Sequence, residues 1–165
     1  MKRLENIHLI LFDWGNTVMV DYPDEEGPMY QWKKVTLVDG MEEILPYLFQ
    51  KKYTLAIATN ANLSNAKDVV KALKRVNIHT YFTYIFTSRD VGYKKPDPLF
   101  FDSILKMVCI EPSECVMIGD NYEKDIVGAH VLGLHTILLT TQNNLDQFPK
   151  AECIISDIRQ LKNIL

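Results

Sequence analysis

The 165 residues are 47% hydrophobic and 24% charged, enough to fill one core and cover it with a solvated surface. That excludes a disordered chain and a disulfide-stapled miniprotein. With 18 Lys and Arg against 21 Asp and Glu the net charge is −3, which gives no electrostatic case for nucleic acid or an anionic membrane as the main partner.

Along the chain, short apolar runs rich in Ile, Val, Leu and Thr alternate with segments at helical spacing. Strands are expected over 7–12, 54–58, 84–87, 115–118 and 136–139, with a weaker one over 153–155. Helices are expected over 41–50, 66–76, 98–108 and 122–132, then a short one over 158–164. Leu99, Phe100, Ser103, Ile104 and Met107 read as one buried stripe, and Gly133 as the end of the fourth helix. Strands alternating with helices predict an α/β fold, a doubly wound parallel sheet of about five strands in a single domain.

One segment breaks the alternation. Residues 20–38 carry Asp21, Pro23, Asp24, Glu25, Glu26, Gly27 and Pro28 and are expected to form a flap or short hairpin over the strand ends. Four acids in six residues read first as a solvated loop. Met29, Tyr30 and Trp32 offer either an exposed patch for a homo-oligomer or packing onto the sheet edge, and inward packing is the expectation.

Ligands of such sheets bind outside the carboxyl ends of the strands. The residues there are Asp13, Thr59 and Asn60, the Lys94-Lys95-Pro96 loop, and Gly119-Asp120. Alone, each has a plainer role: a turn, a cap for the helix at 66, a solvated lysine pair, an acidic first helical turn. Together they differ. Carboxylates at neighbouring strand ends, Asp13 and Asp120, repel and favour a divalent cation, and all-oxygen ligation suits Mg²⁺. A lysine and a threonine add positive charge and hydrogen bonds for a phosphate dianion. An aspartate beside the metal can attack phosphorus and form an aspartyl phosphate.

The blocks LILFDWGNT, LAIATN, GYKKPDPLFF and VMIGDNYEKDIVGA, in this order, resemble the four motifs of the haloacid dehalogenase-like (HAD) hydrolases, over nearly the whole chain. The resemblance implies a Rossmann-like core and a Mg²⁺-dependent phosphatase. Asp13 would be the nucleophile and a metal ligand, completed by the Gly15 carbonyl and Asp120. Thr59, with Asn60, would hydrogen-bond the transferring phosphoryl group, and Lys95 would neutralise its charge. Asp125 would ligate the metal or orient Lys95 from an outer shell.

The pattern is broken at Gly15, where family phosphatases usually carry a second Asp as general acid. General acid–base help is worth about 10²–10⁴-fold, so its loss weakens such an enzyme without abolishing it. A missing acid predicts that Gly15→Asp raises turnover; one from the flap (Asp21, Asp24, Glu25 or Glu26) is the alternative. Only 46 residues separate Asp13 from Thr59, and 36 separate Thr59 from Lys95, so no cap domain is expected and the site should be open to a large phosphorylated substrate. A phospho-ligand or protein-binding module with little turnover is the competing reading, with dehalogenase or phosphonatase chemistry behind it. An odd count of three cysteines without a CxxC pair, no signal-like start and no long apolar run predict a soluble cytoplasmic protein with no membrane role.

Overall fold

A computed structural model describes residues 3–61, 63–142 and 145–165. Six parallel strands form one sheet: β1 Leu9–Phe12, β2 Thr54–Thr59, β3 Tyr84–Thr87, β4 Cys115–Gly119, β5 His135–Leu139 and β6 Cys153–Ile155. Their order is β3-β2-β1-β4-β5-β6. The expected doubly wound sheet is borne out with one strand more than five, because the weak run at 153–155 pairs with β5 through Ile137 and Cys153. From β1 the chain first winds outward to β2 and β3, then returns to β4 on the other side of β1. The switch point therefore lies between β1 and β4, where Asp13 and Asp120 emerge.

Alternate residues of a strand face opposite sides of the sheet, and the two cores follow that period. Ile10, Phe12, Leu55, Ile57, Val116 and Ile118 join the core covered by helices α1 (Met41–Gln50) and α2 (Ala66–Arg75). Leu9, Leu11, Ala56, Ala58 and Met117 join the core covered by α4 (Pro98–Val108). A four-residue helix, α3 (Ser88–Val91), leads from β3 towards α4.

The expected stripe on α4 is corrected. Leu99 and Met107 are 46% and 59% exposed, and the buried residues are Phe100, Phe101, Ile104 and Leu105. These pairs lie four apart and form the face that meets the sheet, one position round from the stripe expected. The segment expected as one helix over 122–132 also divides. Tyr122–Val127 is wound as a π-helix, and only α5 (Gly128–Val131) is α-helical. Gly133, at φ 83°, follows the C-cap Leu132 as expected. The final helix is a 3₁₀ helix over Ile158–Asn163.

The flap is pinned at its base. Val38 N–H donates to the Val18 carbonyl (3.0 Å), and Val20 N–H to that of Thr36 (2.9 Å). A 3₁₀ turn over Met29–Gln31 sets Met29 and Trp32 in the same core as Val69 and Leu73 of α2. Met29 and Trp32 thus pack inward as expected, beside α2. Cys115 and Cys153 are buried, and Cys109 is exposed. No helix among the described residues is long and apolar enough to cross a membrane.

Candidate active site

Asp13 directly follows β1, and its N–H donates to the Ile118 carbonyl of β4 (2.8 Å), which continues the ladder to the last position before the chain turns away. Lys95 comes from the loop between α3 and α4 and is 2% exposed. Its Nζ donates to Asp13 Oδ1 (2.6 Å) and to Asp125 Oδ1 (2.7 Å). The neighbouring Lys94 is exposed. Asn60 fixes the backbone from which Lys95 projects: its Nδ2 donates to the Lys95 carbonyl and its Oδ1 accepts from the Lys95 N–H, both at 2.8 Å. The cap of α2 is Asn65, in a reciprocal capping box with Asp68, so Thr59 and Asn60 are not needed at that helix end. Thr59 closes β2, is buried, and accepts from the Ala61 N–H (3.2 Å).

Asp120 leaves β4 beside Asp13. One carboxylate oxygen from each of Asp13, Asp120 and Asp125 lies within 4.8 Å of the other two. Burial pushes the pKa of Asp120 up, and the Asp13 charge adds to the rise. Asp125 is pushed up to about 6, by burial first; Lys95 pulls it down and the Asp13 charge pushes it back up. Burial would lower the Lys95 ammonium, but Asp13 and Asp125 outweigh it and the net direction is upward. One ammonium thus faces three carboxylates, an excess of about two negative charges. A divalent cation would balance that excess, and the all-oxygen donor set fits Mg²⁺. Asp125 has less to offer a metal than the other two, since Oδ1 accepts from Lys95 and Oδ2 from the Asn121 N–H (3.0 Å).

Residues 18–139 match the family of haloacid dehalogenase-like hydrolases. The chain belongs to this family. It is 29% identical over 125 residues to the haloacid dehalogenase-like hydrolase domain-containing protein 3 of Mus musculus, a match covering 76% of this chain and 47% of that protein. It is 32% identical over 120 residues to the ribulose-1,5-bisphosphate 5-phosphatase of Halopiger xanaduensis, covering 73% of this chain and 49% of that one. The chain therefore spans about half the length of these curated relatives. An uncharacterised protein from Listeria monocytogenes serotype 4b shares the fold with a TM-score of 0.83 at 24% identity, over 95% of this chain and 96% of that one.

In this HAD chain the sheet ends open into a cleft of about 490 Å³, with Asp13, Gly15, Thr59, Asn60, Lys95, Asp120 and Asp125 at its base. The flap supplies one wall through Gly27, Pro28, Met29 and Trp32, and Leu63, Ser64 and Lys124 rise on other sides. Asn60, expected to bind the ligand, lines the cleft, and its side-chain amide is engaged by the Lys95 backbone. Sequence reasoning missed the Asn121 N–H that fixes Asp125, and Arg75, whose guanidinium donates to the Tyr30, Trp32 and Lys33 carbonyls and ties the flap to α2. The reach of the Asn60 amide and the Arg75 fork depends on tertiary placement, for which one sequence carries no signal.

Proposed function

We propose that this chain is a Mg²⁺-dependent phosphoric monoester hydrolase that works through an aspartyl phosphate on Asp13. The observation that carries the reading is the Asp13 carboxylate at the base of an open cleft, held at one oxygen by a buried ammonium and placed beside Asp120. The Lys95 contact orients the Asp13 carboxylate so that its other oxygen can attack phosphorus in line with the departing ester oxygen. Thr59 donates to the transferring phosphoryl group, and Lys95 neutralises charge shared between that group and the nucleophile. Asp13, Asp120 and the Gly15 carbonyl would hold Mg²⁺, which supplies further charge neutralisation at the phosphoryl oxygens. Asp125 orients Lys95. The Halopiger relative named as a phosphatase supports the reaction class.

The cleft lies within the usual range for small-molecule sites, so a phosphorylated metabolite fits it without a cap, and a larger phosphorylated partner is not obstructed. The reading includes one core domain with 20–38 as its flap, and a cytoplasmic setting. Turnover of p-nitrophenyl phosphate with and without Mg²⁺, run beside Asp13→Asn, tests it. The expected result is metal-dependent turnover that Asp13→Asn abolishes. Turnover unchanged in Asp13→Asn would refute the nucleophile. Tight binding of a phosphate analogue with no turnover would support a binding module instead.

A further inference from the structure

We propose that Asp21, at the base of the flap, is the catalytic proton donor to the leaving group; this rests on the phosphatase reading above. An ester oxygen leaving phosphorus as an alkoxide needs a proton. The acids lining the cleft are Asp13, Asp21, Asp120 and Asp125. Asp13 is the attacking group, Asp120 faces the cation position, and Asp125 is engaged by Lys95 and the Asn121 N–H. Asp21 is the carboxyl that remains. Asp24, Glu25 and Glu26 do not line the cleft; Asp21 is exposed as the flap acids were expected to be, but it lines the cleft. Lys124 also reaches the cleft, but an ammonium is a far weaker acid than a carboxyl.

The position is specific. A methyl group built on Gly15 would lie 3.5 Å from Asp21 Oδ2, 3.6 Å from its Cβ and 3.7 Å from its Cγ. The Asp21 carboxyl thus stands against the place where a side chain at 15 would begin, two residues beyond the nucleophile. Its backbone is held on both sides. The Asp21 N–H donates to Asn16 Oδ1 (2.9 Å), the preceding Val20 is paired to Thr36, and the Tyr22 hydroxyl donates to Thr36 Oγ1 (2.9 Å). Asn16, at φ 54°, turns the chain so that its side chain meets Asp21.

The proton balance closes within the site. As Asp13 bonds to phosphorus, the electron pair of the breaking P–O bond passes to the ester oxygen, and the Asp21 carboxyl gives that oxygen its proton, releasing an alcohol. The resulting Asp21 carboxylate then takes a proton from the water that attacks the aspartyl phosphate. The Asp13–phosphorus bond breaks, and inorganic phosphate and the Asp13 carboxylate are released.

Leaving-group dependence separates this role from a structural one. We compare kcat/KM, which reports the step that phosphorylates Asp13, for p-nitrophenyl phosphate and glycerol 2-phosphate. Asp21→Asn should lower it about 100-fold or more for the alkyl ester and less than about tenfold for the aryl ester, whose phenolate leaves without a proton. Adding Gly15→Asp to Asp21→Asn should restore most of the loss, because a Cβ at 15 meets only the residue 21 side chain within 4 Å beyond its chain neighbours, at 3.5 Å or more. Equal losses on both esters, or no loss on the alkyl ester, would overturn the proposal. A wild-type chain that hydrolyses the aryl but not the alkyl ester also overturns it, while the phosphatase reading stands. Wild-type inactivity on both defeats the phosphatase reading and this one with it.

Discussion

Gly128→Ala sets two rules of helix energetics against each other. Gly128 has φ −68° and ψ −40°, ordinary helical values that alanine adopts freely. Helix propensity alone therefore predicts a gain of about 1 kcal/mol. The surroundings predict a loss. A Cβ at 128 would lie 2.1 Å from the Pro96 carbonyl oxygen, 2.9 Å from its carbon and 3.0 Å from Phe101 Cε2. The nearest group is backbone and cannot rotate away, so the 95–97 loop and α5 must separate by more than about 1 Å to restore normal contact. Overpacking of this kind costs about 1–3 kcal/mol, and an immobile partner puts it at the upper end. For a chain of this size we expect Tm to fall by roughly 4–12 °C. Lys95 precedes Pro96, so its contact with Asp13 should loosen and phosphatase turnover should fall as well. Thermal denaturation followed by circular dichroism, with a p-nitrophenyl phosphate assay, reads both. An unchanged or raised Tm would refute the argument, since propensity would then outweigh the contact.

Two further predictions address the charge of the site and the attachment of the flap. In the metal-free protein, burial raises Asp125 from 3.8 to about 6 despite Lys95, so the folded state keeps a proton that the unfolded chain releases. Stability should therefore fall as pH rises through that window, by up to about 3 kcal/mol, and excess Mg²⁺ should offset the loss above it. Tm against pH in a chelating buffer checks this, and a slope that persists unchanged in Asp125→Asn would refute it. Arg75→Ala removes the donors to three flap carbonyls, and amide hydrogen exchange across the flap should speed up by about tenfold, with KM rising more than kcat falls. Exchange that is unchanged across 20–38 would show that Arg75 does not hold the flap.

The strand ends were legible because strands buried on both faces leave unbroken apolar runs, and the run's end marks where a functional residue emerges. Asp13, Thr59, Lys95 and Asp120 were found in that way, each beside a predicted strand or in the loop that follows it. What a run cannot show is which face a helix buries when apolar residues surround it. On α4, Leu99 and Met107 are apolar yet exposed, and only the geometry of the sheet selects Phe100, Phe101, Ile104 and Leu105. The weak strand at 153–155 was visible as a pattern too short to decide. Pairing with β5 gives it a place. Side-chain roles were hardest to read where they act on backbone. An asparagine after a strand looks the same whether its amide meets a ligand or holds a lysine's main chain, as Asn60 does.

The glycines of GDNYEKDIVGA become intelligible once the winding between them is known. A Cβ at Gly119 would lie 2.2 Å from Asp125 Oδ2, so β4 can carry no side chain there while Asp125 keeps its place. The carboxylate needs that place because it accepts from Lys95 at one oxygen and from the Asn121 N–H at the other. Reaching both partners places Asp125 on an irregular turn, and Tyr122–Val127 is π-wound where an α-helix was expected, a departure common at functional sites. The turn then ends on Gly128, against which the Pro96 carbonyl rests. The spacing thus joins three linked requirements: room for Asp125 beside β4, a turn that aims it at Lys95, and a bare helix start that lets the lysine loop close. Lys95 is held on its backbone by Asn60, on its ammonium by Asp13 and Asp125, and behind by the space at Gly128. A side chain at either glycine would therefore act on Asp13 through Asp125 and the lysine.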